Sequence, residues 1–494
     1  METTMRNMTL ENMAAACGGR LLRGAAADEG SAGKEITCAE IDSRRIAEGG
    51  LFFASQGEKV DGHKFIGQVF EKGALCVVTE KTPEQVEEEH GVAANAWGFY
   101  ILVEDTFTAL RGIAAFYRRQ LSIPVVGITG SVGKTSTKEF IAGVLSAKYH
   151  VLKTEGNFNN GVGLPLTLLR IRREHEAAVV EMGISDFGEM SRLGEMAMPD
   201  ICVITNIGQC HLETLHDRAG ILKAKTEIFH YMKEDGEVCL NGDDDLLSMI
   251  RTVNNKAVHH FGISEMEGFE VFATDIENLG LSGSRAMMHI GGSLLAESGK
   301  TEEAYPVEIP LPGQHMVINA MAAAMVGRLL GLSAQEIQKG IKSVEPVGGR
   351  SHIVKLADKT IIDDCYNANP VSMKAALDLL SDALGRKVAI LGDMFELGNN
   401  SDKMHEEVGA YAVEKDIDAV FCVGESARLM YDAALVRYDG TQDVRYFENR
   451  EELLESLPEL TSAGDTILVK ASHGMGFASV VEALKSTPVT QENR

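Results

Sequence analysis

A glycine-rich turn that ends in lysine and threonine is the clearest chemical feature of this sequence. An apolar run ends at Ile128 and leads into Thr129-Gly130-Ser131-Val132-Gly133-Lys134-Thr135-Ser136. Glycines let consecutive backbone N–H groups turn toward phosphate oxygens, and a helix that begins at such a turn adds a favourable dipole. Lys134 can reach the β- and γ-phosphates, and the Thr135 hydroxyl can ligate Mg²⁺. The motif is shorter than a strict P-loop, which has glycine where Ile128 stands, and it predicts a site for nucleotide phosphates.

Three later residues could join this site. Glu181 ends an apolar run, and a carboxylate there can hold a magnesium ion that bridges two phosphates, although acidic residues at strand ends are often only solvated turn residues. His211 follows another apolar run through a glycine turn, where a lone histidine is usually a surface or core residue. Lys225 lies on a predicted helix, and the ordinary interpretation is an exposed lysine.

Composition limits the classes of function. A chain of 494 residues, at about 150 residues per domain, predicts roughly three domains. The formal net charge of -25 disfavours nucleic acid or an anionic membrane as the main partner. The N-terminus lacks a signal-like apolar segment and no apolar run approaches ~20 residues, so we expect a cytoplasmic protein without membrane insertion. The eight cysteines form no C-x-x-C pair, which argues against zinc and disulfides.

Apolar runs alternate with helical patterns along most of the chain, which predicts an α/β protein with parallel sheets. We predict an N-terminal α/β domain over 1–102, a central P-loop domain with a parallel sheet and a small β part over 103–345, and a C-terminal Rossmann-like, doubly wound domain over 346–494. Residues 84–98 are expected to form an acidic loop, 269–312 short β segments, and 319–332 a helix. The predicted strands are 51–54, 75–78, 177–180, 201–205, 360–363, 388–391, 419–423 and 466–469.

The order of motifs resembles that of the Mur ligases, ATP-dependent enzymes that form amide bonds in bacterial cell-wall synthesis. Asp42-Ser43-Arg44 and Asp61-Gly62-His63 resemble the UDP-sugar-binding domain of the later Mur ligases. Segments 363–370 and 391–398 resemble the members that add D-alanyl-D-alanine to a UDP-N-acetylmuramoyl (UDP-MurNAc) tripeptide. The resemblance covers essentially the whole chain, and its central motifs are the P-loop, 156–160, 181–183, Asn206 with His211, Ala224-Lys225, and Asn319 after 311–315.

The resemblance implies a mechanism. A substrate carboxylate attacks the γ-phosphate of ATP, and an amine then opens the acyl phosphate to give the amide. Positioned cations must offset the negative charge of this encounter. The resemblance assigns that task to Lys134, to Arg350, to one Mg²⁺ on Thr135 and Glu181, and to a second Mg²⁺ near His211. It also implies that Lys225 is carbamylated, which would replace a cation by oxygen ligands.

The resemblance also assigns contacts to the small-molecule substrates. ATP would contact residues 129–136, Asn319, Arg350 and Asp364, and Lys470 and Ser472 would lie at the substrate side of the last domain. The residues expected at UDP-MurNAc-tripeptide are Ser43, Arg44, Asp61, His63, Asn157 and Asn160. Asn157 and Asn160 could instead be turn formers, and Ser43 a helix cap. Ala471 and His473 stand where these enzymes commonly have glycine and arginine, so the dipeptide contacts stay unassigned.

Other functions are weighed against this one. A sibling ligase that adds the third amino acid often carries Asp-Asn-Pro-Arg, which is absent from the C-terminal third. A folylpolyglutamate-type ligase would lack the N-terminal motifs, and a P-loop switch would have no use for the second magnesium site. The sequence leaves open whether the third peptide residue is lysine or diaminopimelate. We expect a monomer.

Overall fold

The computed structural model describes residues 5–57, 60–263, 268–298, 300–438 and 440–486. The ends of the first and last predicted domains, 1–4 and 487–494, lie outside the described residues. The described chain forms a five-stranded, a nine-stranded and a six-stranded sheet, together with a two-stranded ribbon. The predicted α/β class with three domains is confirmed, whereas the domain boundaries at 102/103 and 345/346 stay predictions.

The N-terminal sheet has the order β1-β5-β4-β3-β2, with β1 antiparallel to β5 and the other pairs parallel. Its elements are α1 (Leu10–Cys17), β1 (Arg20–Arg23), β2 (Ala39–Glu40), β3 (Leu51–Ala54), α2 (Ile66–Glu71), β4 (Cys76–Thr79), α3 (Pro83–His90) and β5 (Phe99–Leu102). The expectation of a loop over 84–98 is wrong in its first half. Thr82 and Gln85 form a capping box, and Pro83 occupies the first helical turn, so the acidic stretch begins as a helix.

The middle domain is built around the nine-stranded sheet, whose order is β16-β15-β14-β13-β10-β9-β6-β8-β7. Its helices are α4 (Thr106–Arg118), α5 (Lys134–Leu145), α6 (Gly163–Leu168), α7 (Glu189–Ala197), α8 (Leu212–Leu215), α9 (Arg218–Thr226), α10 (Gln314–Leu329) and α11 (Ala334–Lys342). Its strands are β6 (Val125–Thr129), β7 (Val151–Lys153), β8 (Ala177–Glu181), β9 (Ile201–Ile204), β10 (Glu237–Asn241), β11 (Thr252–Val253), β12 (Lys256–Ala257), β13 (His259–Gly262), β14 (Val271–Asn278), β15 (Ser284–Gly291) and β16 (Glu302–Ile309).

Two features of this domain differ from expectation. The small β part is no separate sheet: β14 pairs in parallel with β13, and β15 and β16 then add antiparallel strands of eight residues each to the same sheet. The helix expected at 319–332 is α10, which begins five residues earlier, at Gln314. Residues on every side of α10 are buried, as in a helix enclosed by its domain, so periodicity alone did not mark its start.

The last domain has the strand order β17-β18-β22-β19-β20-β21, in which all pairs except β17 with β18 are parallel. Its elements are β17 (His352–Lys355), β18 (Thr360–Asp363), α12 (Pro370–Ser381), β19 (Lys387–Gly392), α13 (Ser401–Glu414), β20 (Ala419–Val423), α14 (Ala427–Arg437), β21 (Asp443–Phe447), α15 (Arg450–Leu460), β22 (Thr466–Lys470) and α16 (Ala478–Ser486). This is the predicted doubly wound arrangement. Among the described helices, none combines the length and the apolar character needed to cross a bilayer.

Candidate active site

The glycine-rich turn connects β6 to α5, as its sequence predicts. Gly130 has φ +149°, and a Cβ there would lie 2.0 Å from the Thr205 hydroxyl oxygen. Gly133 has φ +84° at the start of α5, in the left-handed region that favours glycine. Asn206, which follows β9, braces the turn because its Oδ1 accepts from the Val132 N–H at 2.9 Å and its Nδ2 donates to the Val132 carbonyl at 2.9 Å. The turn is therefore held in one shape by the neighbouring strand.

Thr135 and Glu181 meet beneath this turn. The Thr135 hydroxyl donates to Oε2 of Glu181 at 3.0 Å, and Asn159 Nδ2 donates to Oε1 at 2.8 Å. Both Thr135 and Glu181 are buried. A hydroxyl and a carboxylate are hard oxygen ligands of the kind that Mg²⁺ prefers, so the pair that the sequence predicts for magnesium has suitable chemistry.

A cleft of about 520 Å³ lies between the middle and last domains. Its middle-domain wall includes Lys134, Asn160, Glu181, His211 and Asn319, and the last domain contributes Arg350, Asp364 and Lys470 among others. Residues far apart in the sequence thus face one cleft, and four of its lining residues, Lys134, Arg192, Arg350 and Lys470, are cations in a strongly acidic protein. Such a space suits an anionic ligand with several phosphates.

An aromatic side chain that the sequence does not predict at the site packs against Arg350. Its guanidinium carbon lies 4.0 Å from the ring centroid of Tyr366, at cation–π distance. The His473 ring contacts the same tyrosine at a centroid distance of 5.4 Å. Tyr366 also lines the cleft. The arginine therefore has a defined position at the cleft wall.

Asp364 and Lys470 form a buried ion pair in this wall. Lys470 Nζ lies 2.6 Å from Asp364 Oδ2 and donates to the Asn367 carbonyl at 2.9 Å. The other oxygen of Asp364 accepts from the Ser351 N–H at 2.9 Å. Ser472 is not among the residues that line the cleft. Its hydroxyl accepts a hydrogen bond from the Phe395 N–H at 2.8 Å and holds the loop after β19.

Asn319 also has a structural partner. Its Oδ1 accepts from the Thr137 hydroxyl at 3.0 Å, which ties α10 to the helix that begins at the P-loop. Asn319 also lines the cleft. Asn160 caps the turn before α6, since its Oδ1 accepts from the N–H groups of Val162 and Gly163. The turn-forming interpretation of Asn160 is thus compatible with its place at the cleft.

His211 lies in the cleft wall with a left-handed backbone, φ +50°. Burial lowers the pKa of its imidazole, Glu396 opposes that shift, and the positive charges of Lys134 and Lys225 lower the pKa further. The lowered pKa favours the neutral imidazole, which is the form that can ligate a metal ion.

Lys225 is a buried residue, in contrast to the exposed helical lysine that is the ordinary interpretation of its sequence. It lies on α9, yet only 1% of the residue is exposed. Burial lowers the pKa of its ammonium to about 8. In the described part of the chain no acidic side chain forms an ion pair with it. A buried lysine that is easily deprotonated has the reactivity that carbamylation requires.

Five of the six residues predicted to contact UDP-MurNAc-tripeptide lie apart from this cleft, and the sixth, Asn160, lines it. Ser43, Arg44, Asp61 and His63 belong to the N-terminal domain, and Asn157 is exposed on the loop before α6. Arg44 pairs with Asp42 at 2.7 Å. None of the five lines the cleft as the structure describes it, so their substrate contacts stay predictions.

Asp61 is the centre of a compact polar cluster. Its carboxylate contacts His63 Nδ1 at 2.6 Å, His90 Nε2 at 3.0 Å and Lys81 Nζ at 3.4 Å. Partial burial raises the pKa of the Asp61 carboxyl, but the hydrogen bonds from His63 and the charge of Lys81 outweigh this effect and lower the pKa below its usual range. His63 is fully buried, and its Nε2 has no hydrogen-bond partner among the described residues.

Comparison with known sequences identifies the protein family to which this chain belongs. Residues 35–118, 128–327 and 349–473 match the family models described as "Mur ligase family, catalytic domain", "Mur ligase middle domain" and "Mur ligase, glutamate ligase domain". A UDP-N-acetylmuramoyl-tripeptide--D-alanyl-D-alanine ligase of Bacillus subtilis is 37% identical, over 91% of this chain and 93% of the relative. The chain therefore belongs to the Mur ligase family.

Within that family, the similarity is to the ligases named for the tripeptide and D-alanyl-D-alanine. The Escherichia coli relative of the same name is 32% identical, over 92% of this chain and 95% of the relative. The crystal structure of MurF from Acinetobacter baumannii aligns with a TM-score of 0.82 and 30% identity, covering 97% of this chain and 98% of the other. MurF from Thermotoga maritima, solved in complex with ADP, aligns with a TM-score of 0.73 and 28% identity, covering 91% and 97%. The resemblance stated from the motifs is confirmed.

Proposed function

We propose that this protein joins D-alanyl-D-alanine to UDP-MurNAc-tripeptide with hydrolysis of ATP to ADP and phosphate, a cytoplasmic step in the synthesis of peptidoglycan precursors. The observation that carries the proposal is the cleft in which the P-loop faces Arg350 and Asp364. The names and coverage of the relatives support the choice of substrates.

The chemistry requires charge neutralisation. The terminal carboxylate of the tripeptide approaches a triphosphate, so an anion must meet an anion. Lys134 at the P-loop and Arg350 on the facing wall supply fixed positive charge where it is needed, and a preorganised charge costs no rearrangement during the reaction. The acyl phosphate that results is opened by the amine of the dipeptide. Closing the two walls of the cleft around the substrates would exclude water from that intermediate.

Magnesium fits the residues beneath the P-loop. Thr135 and Glu181 would hold the ion that accompanies ATP, and Asn159 orients the carboxylate through its second oxygen. When bound, Mg²⁺ offsets charge on the phosphate oxygens. We further propose that a carbamate on Lys225 and the neutral imidazole of His211 serve a second ion. The support is the burial of Lys225 and its lowered pKa, which favour the neutral amine that reacts with CO₂.

The remaining assignments follow the same proposal. ATP contacts residues 129–136, Asn319, Arg350 and Asp364. Lys470 and Ser472 belong to the substrate side of the last domain. The uridine diphosphate and sugar contact the N-terminal residues Ser43, Arg44, Asp61 and His63, together with Asn157 and Asn160. We propose domains at 1–102, 103–345 and 346–494, and a monomeric enzyme.

The substrate assignment is tested by ADP release from the purified protein. UDP-MurNAc bearing a dipeptide or a tripeptide is offered with D-alanyl-D-alanine, a free diamino acid, or neither. ADP should form rapidly only with the tripeptide and D-alanyl-D-alanine together. Equal turnover with the dipeptide and a free diamino acid would assign the protein to the ligase of the preceding step. ATP hydrolysis that needs no acceptor would indicate a P-loop switch.

The acyl phosphate is tested by isotope transfer. The tripeptide is prepared with ¹⁸O in its terminal carboxylate. If that oxygen attacks the γ-phosphate, one labelled oxygen leaves with the released phosphate, which mass spectrometry detects. Unlabelled phosphate would exclude the route.

A further inference from the structure

A carboxylate of the last domain lies against the predicted metal ligand of the middle domain. Oε2 of Glu396 is 2.6 Å from Nδ1 of His211, while the angle at the ring is not that of a hydrogen bond. Nδ1 has no other partner in the part of the chain that the structure describes. Glu396 is thus the group placed to interact with this ring nitrogen.

The two residues meet because the loop after β19 packs on the start of α8. Leu212, next to His211, packs against the apolar core of the last domain, which includes Met394 and Leu397. Gly398 lies beside Glu213, since a Cβ on the glycine would be in van der Waals contact with the Glu213 nitrogen at 3.4 Å. The contact is therefore part of a packed interface between the domains.

Both backbones adopt a conformation that side-chain-bearing residues rarely take. His211 has φ +50° and Glu396 has φ +62°. Such left-handed residues persist where the surrounding structure requires them, and they are concentrated at functional sites. Here the left-handed turns place the imidazole and the carboxylate against each other across the domain boundary.

We propose that Glu396 is a positioning residue for His211: its negative charge, 2.6 Å from Nδ1, favours the proton on that nitrogen and leaves the lone pair on Nε2 for the second metal ion. The inference rests on the proposed function. Histidine ligands commonly donate their other N–H to a carboxylate, which fixes both tautomer and orientation. Since this carboxylate comes from the last domain, His211 gains its working tautomer only when the two domains are together. Closure of the two domains around ATP then also completes the metal site.

Two variants of Glu396 and a control separate this role from simple docking. Glu396→Asn keeps a residue that tolerates the left-handed backbone but is too short to reach the ring. Glu396→Gln keeps the length and an oxygen that can accept the N–H. The control is Asp382→Ala, which removes a second contact between the domains, where Asn278 Nδ2 donates to Asp382 Oδ2 at 2.6 Å. More than half of the Glu396 side chain is exposed, so its variants should fold.

The direct readout is the ¹⁵N chemical shift of the His211 ring nitrogens in metal-free protein, assigned by the signal lost in His211→Gln. In the wild type we expect a protonated Nδ1 and an unprotonated Nε2. Glu396→Asn should produce a mixture of tautomers, Glu396→Gln should retain most of the wild-type form, and Asp382→Ala should change nothing. The proposal is overturned if Glu396→Asn leaves both nitrogen shifts unchanged.

Ligase kinetics give the second readout. Glu396→Asn should lower kcat by about 10- to 100-fold, the usual effect of losing a partner of a metal ligand, with little change in the KM for ATP. Glu396→Gln should fall between that variant and the wild type. An equal loss in Asp382→Ala would show that Glu396 only docks the domains. If the wild type itself ligates no dipeptide, the proposed function fails, whereas the nitrogen shifts still decide the role of Glu396.

Discussion

Thr135 and Glu181 share a buried hydrogen bond of 3.0 Å although 46 residues separate them in the chain. Thr135 is the second residue of α5, the helix after the glycine turn, and Glu181 ends the neighbouring strand β8, which pairs in parallel with β6. Parallel pairing brings the carboxyl ends of both strands to the same edge of the sheet. The parallel pairing of β6 and β8 therefore brings the Thr135 hydroxyl and the Glu181 carboxylate into contact.

Removing either of the two proposed magnesium ligands should strongly slow ATP-driven ligation without unfolding the protein. We expect Thr135→Val and Glu181→Gln to lower kcat by about 100-fold or more, because each removes electrostatic stabilisation of the phosphoryl group in transfer. Thr135→Ser keeps the hydroxyl and should keep most of the activity. ADP release at increasing Mg²⁺ concentrations measures the effect, and thermal unfolding checks the fold. Normal turnover in Glu181→Gln would remove this residue from the metal site.

Lys225 should carry a carbamate in the active enzyme. In ¹³C-labelled bicarbonate, NMR should show a carbamate resonance that Lys225→Ala abolishes, and the same variant should lose several orders of magnitude in turnover while still binding ATP. Lys223 is the matched control, because it lies on the same helix but is exposed, with its ammonium 5.7 Å from the Phe187 ring centroid. If Lys223→Ala is the damaging change, or if Lys225→Ala turns over normally, the second metal site is misassigned.

The tyrosine ring beneath Arg350 should contribute to catalysis through that arginine. A cation–π contact is worth about 0.5–2 kcal/mol, so Tyr366→Leu should lower kcat/KM by about 2- to 30-fold. Tyr366→Phe keeps the ring face and should be nearly normal. Introduced into Arg350→Ala, Tyr366→Leu should have little additional effect, which a double-mutant cycle measures. Additive losses would mean that the tyrosine acts independently of Arg350.

Local chemistry explains what the sequence could predict. The P-loop turn, the strands around it and the position of Glu181 follow from short segments whose residue types restrict their conformation. Three sheets and the doubly wound last domain follow from the alternation of apolar runs with helical patterns. The helix at Pro83–His90 stands where a loop is predicted, because a capping box starts it among acidic residues. The signal was present in Thr82, Pro83 and Gln85.

Long-range packing explains what the sequence could not predict. The helical position of Lys225 gives no sign that the residue is buried, since that depends on how α9 is covered. The contacts of Arg350 with Tyr366 and of His211 with Glu396 join segments distant in the chain. Asn159, for which the sequence predicts no role, contacts Glu181, whereas Asn157 and Asn160 are predicted to contact the nucleotide sugar. Neighbouring asparagines on a loop are equivalent until the backbone orients them.

The stability of the middle domain should depend on pH through His259. Its ring contacts Glu270 through Nδ1 and Glu237 through Nε2, the latter at 3.1 Å. Burial opposes protonation, but these two carboxylates prevail and raise the His259 pKa above its ordinary 6.5. Burial likewise disfavours the charged form of Glu270, yet its hydrogen bonds with His259 and Ser293 lower its pKa below the ordinary 4.5.

The sign of the pH effect follows from these directions. A raised histidine pKa contributes stability that is full below pH 6.5 and is lost as the pH rises through the folded-state value, whereas the Glu270 contribution is full above pH 4.5 and is lost in stronger acid. His259→Gln should therefore lower the free energy of unfolding most between these two pH values, by about 1–3 kcal/mol, because hydrogen bonds to charged groups are lost. The loss should become progressively smaller toward pH 9. Urea unfolding of both proteins across this pH range measures the difference. His289→Gln, which alters another histidine of the same sheet in contact with Glu302, is the control. A His259→Gln penalty that stays constant up to pH 9 would contradict a protonated His259.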